Sequence, residues 1–220
     1  MDDTMILDEF AKLDSAAVSD ALDGAGLPSG IGGIAPVSGS KIVGFAVTVQ
    51  LEPYVPGPAG PHIASTAVST AGKSDIIVIA NAGRTDVSCW GGLLSLGASL
   101  RGVRGTIADG CCRDIGEARE LGYPVFSRGG IPVTARGRLQ QKSTGDTVII
   151  AGVSVSPGDV VVADETGVAV VPRAKVSTVL AGAREIVERE RSIARDLHNG
   201  IAIADALHDA RLAGSEEHDQ

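Results

Sequence analysis

The sequence is poor in aromatic residues and has an excess of acidic side chains, and both features exclude classes of protein. Aromatic residues make up 3% of the 220 residues, and the formal net charge is −8. A nucleic-acid-binding protein needs a basic surface for phosphates and aromatic rings for base stacking. An acidic chain is also repelled by an anionic membrane surface. We therefore expect neither a nucleic-acid partner nor a membrane partner.

The chain also lacks a long apolar run and a cysteine framework. No stretch of roughly 18 or more apolar residues occurs, so no transmembrane helix is predicted. The start, Met1-Asp2-Asp3, is acidic, unlike a secretory signal. The odd count of three cysteines suits a reducing compartment, and we interpret Cys89, Cys111 and Cys112 as small buried side chains. The expected location is the cytoplasm.

Histidine and lysine are too scattered to indicate a zinc site or a Schiff-base site. No HxxxH or HExxH pair occurs, which disfavours a zinc enzyme with histidine ligands. The lysines do not stand in an apolar setting that would favour a reactive amine. The residues considered are His62, His198, His208, His218, Lys41, Lys73 and Lys142.

The apolar residues, 44% of the chain, alternate between strand-like and helix-like spacing up to about residue 126. This order predicts right-handed crossovers and a parallel sheet core. Helices are predicted at residues 7–23 (with Ser15 as a possible cap where two short helices meet), 62–71, 87–100 and 115–121. Strands are predicted at residues 41–51, 75–80, 105–108 and 123–126, and loops at residues 30–39, 52–60 and 81–86.

The last third changes to short strands separated by turn residues, which predicts an antiparallel section. Its strands are expected at residues 133–139, 148–150, 153–155, 160–163 and 167–171. A long amphipathic helix follows Pro172 and stops at His198-Asn199-Gly200. We predict one α/β domain over residues 1–220, with an N-terminal helix at 7–23, a core at 40–172, a C-terminal helix at 173–198 and a polar tail at 210–220.

Two glycine turns carry the residues with the most chemistry. The first is Trp90-Gly91-Gly92-Leu93-Leu94, where glycines at a helix start leave backbone N–H groups accessible to an anion. The second is Asp109-Gly110-Cys111-Cys112-Arg113-Asp114. Arg113 can bind a substrate carboxylate through paired hydrogen bonds, and Asp114 can hold a hard cation such as magnesium through water. The alternative for Arg113 and Asp114 is a surface ion pair at a helix start.

These two motifs, together with residues 14–23, 121–129 and 157–172, resemble one family over roughly residues 7–195. It is the family of the regulator of ribonuclease activity A and the class II 4-hydroxy-4-methyl-2-oxoglutarate aldolases. The resemblance implies a swivelling β/β/α domain, assembled as a homotrimer or a pair of trimers with sites between subunits. It also implies a divalent cation, usually Mg²⁺ with Mn²⁺ left open, and cleavage of 2-oxo acids that releases pyruvate, as an aldolase or an oxaloacetate decarboxylase.

The resemblance assigns roles to particular residues. Arg113 would hold the keto-acid end of the substrate, and Asp114 would position the metal through water. Gly91, Gly92, Leu93 and Leu94 would offer backbone N–H groups to the substrate carboxylate. The chemistry agrees, because C–C cleavage next to a 2-oxo acid leaves an enolate whose charge a Lewis-acidic metal stabilises.

One position departs from the family. The aldolases carry an acid where this chain has Gly92, with twenty residues (93–112) between it and Arg113. The proton donor could then be water or Glu185, Glu188 or Glu190 of a neighbouring subunit, although a solvated, charged helix face is the favoured interpretation of these glutamates. Three alternatives stay open: a non-catalytic regulator that binds a ribonuclease, a related lyase with another substrate, and a methyltransferase, which the absence of a GxGxG turn disfavours.

A few further residues have a structural and a functional interpretation. Asp109 is expected to form an Asx turn before Gly110. The pair Asp164-Glu165 is expected to lie in a solvated turn. Trp90 and His62 are interpreted as packing or loop residues, and Arg84 as a possible pocket residue.

Overall fold

The computed structural model describes residues 1–57 and 60–207. His208, His218, the predicted polar tail and part of the predicted 52–60 loop lie outside the described residues. The helices are α1 (Asp3–Phe10), α2 (Ser15–Gly24), α3 (Ser65–Thr70), α4 (Gly92–Leu100), α5 (Ile115–Glu120), α6 (Val176–His198) and α7 (Ile203–Ala206). The strands are β1 (Ala35–Ser38), β2 (Ile42–Pro53), β3 (Asp75–Ser88), β4 (Gly105–Cys111), β5 (Val125–Ser127), β6 (Leu139–Thr144), β7 (Val148–Ile150), β8 (Val153–Val155), β9 (Val160–Ala163) and β10 (Val168–Val171).

The main sheet has the strand order β1-β5-β4-β3-β2-β9-β10, with β6 paired to the second half of β2. Strands β2, β3, β4 and β5 are parallel neighbours, whereas β1, β6, β9 and β10 pair antiparallel. The predicted parallel core, antiparallel section and C-terminal helix are therefore confirmed. Because β3 and β4 are parallel, their carboxyl ends meet at the same edge of the sheet, where ligand sites of α/β sheets commonly lie.

The central strand β3 is apolar on both faces because both faces are covered. Ile77 and Ile79 pack toward α3, α4 and Trp90, whereas Ile76 and Val78 pack under the β7–β8 hairpin. All four aliphatic side chains are fully buried. Each contributes about 1.5–3 kcal/mol by leaving water, so this strand is a rigid support for the segment that follows it.

Two strands reach further or lie elsewhere than the pattern predicted. Strand β3 continues to Ser88 and pairs irregularly with β4 through Arg84 and Ser88, so the predicted loop at 81–86 and the predicted helix start at 87 are wrong. The predicted loop at 30–39 contains β1, which pairs with β5. The predicted strand at 133–139 is a turn, because Gly137 with φ +70° bends the chain before β6 begins at Leu139.

The N-terminal segment forms two helices, and Asp14 rather than Ser15 caps the second one. The Asp14 side chain accepts a hydrogen bond from the Ala17 amide. Helices α1 and α2 pack with α6 over the face of the sheet formed by β2, β9 and β10. The C-terminal helix runs as predicted, with a short 3-10 helix (Arg173–Lys175) before α6. Within the described residues, no helix combines the length and apolarity that crossing a bilayer requires.

Asp164 is buried, which corrects the prediction of a solvated turn, whereas its neighbour Glu165 is exposed as expected. Its carboxylate accepts hydrogen bonds from the Ser15 amide at 2.7 Å, the Ser15 hydroxyl at 2.6 Å and the Thr166 amide at 3.0 Å. Burial alone would raise the pKa of Asp164, but these hydrogen bonds and one from the Gly167 amide outweigh it and lower the pKa. The aspartate therefore fastens the start of α2 to the β9–β10 turn.

We expect Asp164→Asn to lower the free energy of unfolding by about 1–3 kcal/mol at pH 7, because buried donors lose an ionised acceptor. A folded-state pKa below the unfolded value of about 3.9 stabilises the fold above that pH, and the contribution is lost as the pH falls through the folded pKa. Urea unfolding from pH 7 to pH 3 should thus show a smaller acid-induced loss for the variant. Glu165→Gln is the control, and equal losses for Asp164→Asn and wild type would contradict the role of Asp164.

Candidate active site

The carboxyl ends of β3 and β4 bring the two glycine turns together. Residues 89–91 connect β3 to α4, and residues 112–114 connect β4 to α5. The Cys89 amide donates to the Cys111 carbonyl at 2.8 Å, and the Arg113 amide donates to the Trp90 carbonyl at 3.0 Å. The sheet ladder therefore continues, with an irregular register, up to the residues predicted to carry chemistry.

Asp114 faces the start of α4 rather than its own helix. One of its oxygens, Oδ2, accepts hydrogen bonds from the Gly92 amide at 3.1 Å and from Nε of Arg113 at 3.0 Å. Its backbone is left-handed (φ 56°, ψ 36°), and its side chain makes no capping bond to α5. The positive end of the α4 dipole favours a carboxylate at this place. The ion pair of the alternative interpretation is therefore present, and its carboxylate also contacts the start of α4.

Both glycines of the first turn are in close contact with acidic side chains. A Cβ at Gly91 would lie 2.9 Å from Oδ2 of Asp114. A Cβ at Gly92 would lie 1.8 Å from Oε2 of Glu117 and 3.2 Å from Cβ of Asp114. An added side chain at either position would have to displace a carboxylate, and at Gly92 this is the flexible end of the Glu117 side chain.

Glu117 is the residue that the sequence interpretation missed. Its carboxylate fills the space above Gly92, and it makes no hydrogen bond or ion pair with the residues that the structure describes. The available signal was the spacing: Glu117 follows Asp114 by three residues in a predicted helix, which places both on one helix face. Within one chain, the glutamates considered instead lie on α6, where Glu185 and Glu190 line a groove against α2.

A cavity of about 130 Å³ lies beside this cluster. All the residues predicted for the site line it: Gly91, Gly92, Leu93, Leu94, Arg113 and Asp114. The remaining walls come from His62, Ile63, Ser88, Trp90, Thr134, Ala135 and Arg136. No lysine is among the described residues that line this cavity. The cavity is of a size for a small acid rather than for a large ligand.

The first turn of α4 offers free hydrogen-bond donors to this cavity. The helix has no side-chain cap, and the Gly92 amide is already bonded to Asp114. The amides of Leu93 and Leu94 have no acceptor within the described part of the chain. Two unbonded N–H groups at the positive end of a helix can bind an anion, and the role predicted for these amides stays a prediction.

The packing behind the cavity is neutral and tight. The indole N–H of Trp90 donates to the Ser95 hydroxyl at 2.8 Å, and its ring stacks on Tyr123 with centroids 6.3 Å apart. Burial raises the pKa of the Cys89 and Cys112 thiols, so these groups stay protonated at neutral pH. All three cysteines are free and buried, as predicted.

Two other candidates take structural positions. Arg84 binds Asp86 through two hydrogen bonds of 2.9 and 2.8 Å and does not line the cavity. Asp109 is buried in β4 and accepts hydrogen bonds from Nε of Arg128 at 2.7 Å and from the Ala151 amide at 3.2 Å. The prediction that Asp109 forms an Asx turn is therefore wrong, because its carboxylate reaches across the fold.

The donor set suits a hard cation that keeps much of its water. The described residues contain no group of three or more histidine, cysteine, aspartate or glutamate side chains that could hold a metal. Asp114 keeps one oxygen, Oδ1, free of hydrogen bonds from the described residues, and the Glu117 carboxylate is unpaired. One or two carboxylates with several waters is the usual magnesium site, so the residues fit Mg²⁺ or Mn²⁺ and do not fit zinc.

Comparison with known proteins identifies the family and the fold of the chain. Residues 15–170 match the model of the RraA-like family, described as Aldolase/RraA. The chain belongs to the RraA-like family. The mixed α/β fold with its C-terminal helix is the fold of solved members of this family, and the resemblance seen in the sequence is confirmed.

Three related proteins illustrate the range of this family. Protein DlpA of Legionella pneumophila is 33% identical over 94% of the chain, which spans only 34% of the length of DlpA. A protein of Halalkalibacterium halodurans, named a candidate 4-hydroxy-4-methyl-2-oxoglutarate aldolase, is 30% identical over 80% of the chain and 81% of its own length. RraAS2 of Streptomyces coelicolor, described as an unusual member of the RNase ES inhibitor RraA family, superposes with a TM-score of 0.78 at 26% identity, over 87% of the chain and 96% of RraAS2.

Proposed function

We propose that this RraA-like protein is a divalent-metal-dependent lyase that cleaves small 2-oxo acids and releases pyruvate. The observation that carries the proposal is the convergence of Arg113, Asp114 and Glu117 on the start of α4, beside a cavity with free backbone donors. The names of relatives such as the Halalkalibacterium protein support an aldolase. Decarboxylation of oxaloacetate is the same type of reaction, because it also leaves the enolate of pyruvate.

The substrate carboxylate binds between Arg113 and the free amides of Leu93 and Leu94. A guanidinium and a helix N-terminus together supply several charge-assisted hydrogen bonds, which fix the acid in one orientation. Trp90 and Ile63 are both buried and form the apolar side of the cavity.

In this proposal, Asp114 and Glu117 would hold the metal, together with water. A bound Mg²⁺ or Mn²⁺ would act as a Lewis acid for the negative charge that C–C cleavage leaves on the keto oxygen. Gly92 and Arg113 hydrogen-bond to Oδ2 of Asp114 and so direct Oδ1 away from them. The Glu117 carboxylate occupies the space that a side chain at position 92 would take, so in this proposal Glu117 replaces the acid implied at that position and accepts or returns the substrate proton.

A pyruvate-release assay tests the proposed function. The full chain is incubated with oxaloacetate or 4-hydroxy-4-methyl-2-oxoglutarate, first after treatment with a chelator and then after addition of MgCl₂ or MnCl₂. We expect pyruvate release to depend on the added cation and to exceed the metal-only background. Equal rates with and without the protein, at every cation tested, would refute a lyase of this type.

A regulator without catalytic activity is the second candidate, because the fold matches RraAS2. The intact Arg113, Asp114 and Glu117 cluster weighs against it. Absence of lyase activity together with dose-dependent inhibition of a purified ribonuclease would favour the regulator. Turnover of either 2-oxo acid without any effect on the ribonuclease would favour the enzyme.

We also propose that the chain self-associates through α4, as a homotrimer or homohexamer. Leu93 and Leu100 are 85% and 80% exposed, and Leu96 lies between them on the same side of the helix. The helix sequence, GLLSLGASL, contains no charged residue. Because Leu93 also lines the cavity, a second copy bound to this surface would form part of the cavity wall.

We expect Leu100→Glu to shift the mass in solution from that of a trimer or hexamer toward that of one chain. A buried glutamate at an apolar interface is strongly unfavourable. Light scattering after size exclusion measures the change. Ile149→Glu, which alters an exposed apolar residue on β7, is the matched control. A wild-type chain that elutes as a monomer would contradict the proposed assembly.

A further inference from the structure

Arg136 stands at the corner of a tight turn beside the site. Gly137, with φ +70°, follows it, and the Arg138 amide donates to the Ala135 carbonyl at 2.8 Å, which closes the turn. The left-handed conformation at Gly137 fits a turn that needs glycine at its third position. The side chain of Arg136 is consequently presented outward, and Arg136 is exposed.

The guanidinium of Arg136 is unpaired, unlike those of the other arginines that the structure describes. Its hydrogen bonds are limited to the backbone amide, which donates to the Thr134 hydroxyl. The neighbouring Arg138 donates to the Thr134 carbonyl, and Arg113 and Arg128 each bind an aspartate. A chain with net charge −8 has acidic partners in excess, so a cation left without one is available for a ligand.

Arg136 lies at the junction of two cavities. It lines the 130 Å³ cavity of the site and also a second cavity of about 550 Å³, and both share His62, Ile63 and Ala135. Ligand pockets for small molecules typically occupy about 300–1,000 Å³, so the inner cavity alone is small and the outer one provides the missing length.

The outer cavity favours an anion. No aspartate or glutamate is among the described residues that line it, whereas Arg136, His62, Gln140 and Gln141 all do. Glu52, which lies nearby on β2, is bound by the side-chain amide of Gln140. Among the described residues that line the outer cavity, Arg136 carries the one formal positive charge, and His62, Gln140 and Gln141 offer further polar groups.

From this arrangement we infer that Arg136 determines specificity by binding a second, distal carboxylate of an elongated 2-oxo acid. The keto-acid end lies in the inner cavity near Arg113, and the tail passes into the outer cavity. Arg136 is a binding residue for the tail and takes no part in bond cleavage. The inference rests on the proposed function, since it assumes a 2-oxo acid in the inner cavity.

Calorimetric binding to the full chain with MgCl₂ tests the inference, using pyruvate, 2-oxoadipate and 2-oxohexanoate as ligands. The last two have equal length, but only 2-oxoadipate carries a distal charge. We expect wild type to bind 2-oxoadipate at least tenfold more tightly than 2-oxohexanoate. Arg136→Gln should reduce that ratio about tenfold, and Arg136→Lys should fall between, because lysine keeps the charge without the paired geometry.

Arg138→Gln is the matched control, because it removes the same charge two residues away and lines neither cavity. It should retain the wild-type ratio. A ratio near one in wild type, or an unchanged ratio in Arg136→Gln, would overturn the assignment of Arg136 alone. If wild type bound none of the three ligands in the presence of magnesium, the proposed function would be overturned, and this inference with it.

Discussion

Asp114→Asn is expected to lower metal-dependent pyruvate release by about 10³-fold or more while leaving the fold intact. The asparagine side chain is neutral, so it is a poor ligand for a hard cation, and a lost metal contact removes several kcal/mol of stabilisation of developing charge. Asparagine also tolerates the left-handed backbone that Asp114 adopts (φ 56°), so the turn before α5 should persist. Asp114→Asn should therefore lower the activity without unfolding the protein.

The measurements for Asp114→Asn are the turnover rate at saturating magnesium, the magnesium affinity and the midpoint of thermal unfolding. Asp86→Asn is the matched control, because Asp86 also pairs with an arginine but lies away from the cavity. The control should keep wild-type activity. If Asp114→Asn retained activity and magnesium affinity, another group would have to hold the metal.

Moving the carboxylate from Glu117 to position 92 is expected to restore activity that either single change removes. Glu117→Ala should lower the rate by about 10²-fold or more, in the range of a lost general acid or base. Gly92→Asp alone should also be impaired, because its Cβ would lie 1.8 Å from the present position of Oε2 and the two carboxylates would repel. In Gly92→Asp/Glu117→Ala the space is vacant, and an aspartate in the first turn of a helix is favourable.

The four proteins of this cycle are compared by kcat/KM for pyruvate release. We expect the double variant to exceed Glu117→Ala by at least tenfold, which is strong positive coupling between neighbouring sites. Glu120→Ala, which removes an exposed glutamate one turn further along α5, serves as the control. Wild-type activity in Glu117→Ala would show that the carboxylate above Gly92 has no part in the reaction.

Much of the fold follows from local patterns, and the failures have identifiable causes. The parallel core was predictable because buried strands such as 75–80 alternate with short helices. The extension of β3 to Ser88 was not, because Asn81 to Asp86 is polar and contains a glycine, and its pairing with β4 depends on irregular registers at Arg84 and Ser88. Strand β1 was missed because four residues that include Pro36 carry little strand signal.

In the site too, some residues are predictable from neighbouring positions in the sequence, whereas others depend on contacts between distant positions. Arg113 and Asp114 are adjacent in sequence, so their shared location could be read directly. Glu117 was accessible from its helical spacing but was overlooked in favour of more distant acids on α6. The burial of Asp164 could not be anticipated, because its partner Ser15 lies 149 residues away.

The ladder between β3 and β4 has a consequence for the motions of this site. It ends in the bonds that join Cys89 to Cys111 and Trp90 to Arg113, so the backbone at the cavity belongs to the same cooperative unit as the buried sheet. Opening that backbone would require breaking the centre of the fold. In the proposed lyase, substrate entry would therefore require only rotations of exposed side chains such as Arg136, which are far faster than the opening of a hinged lid.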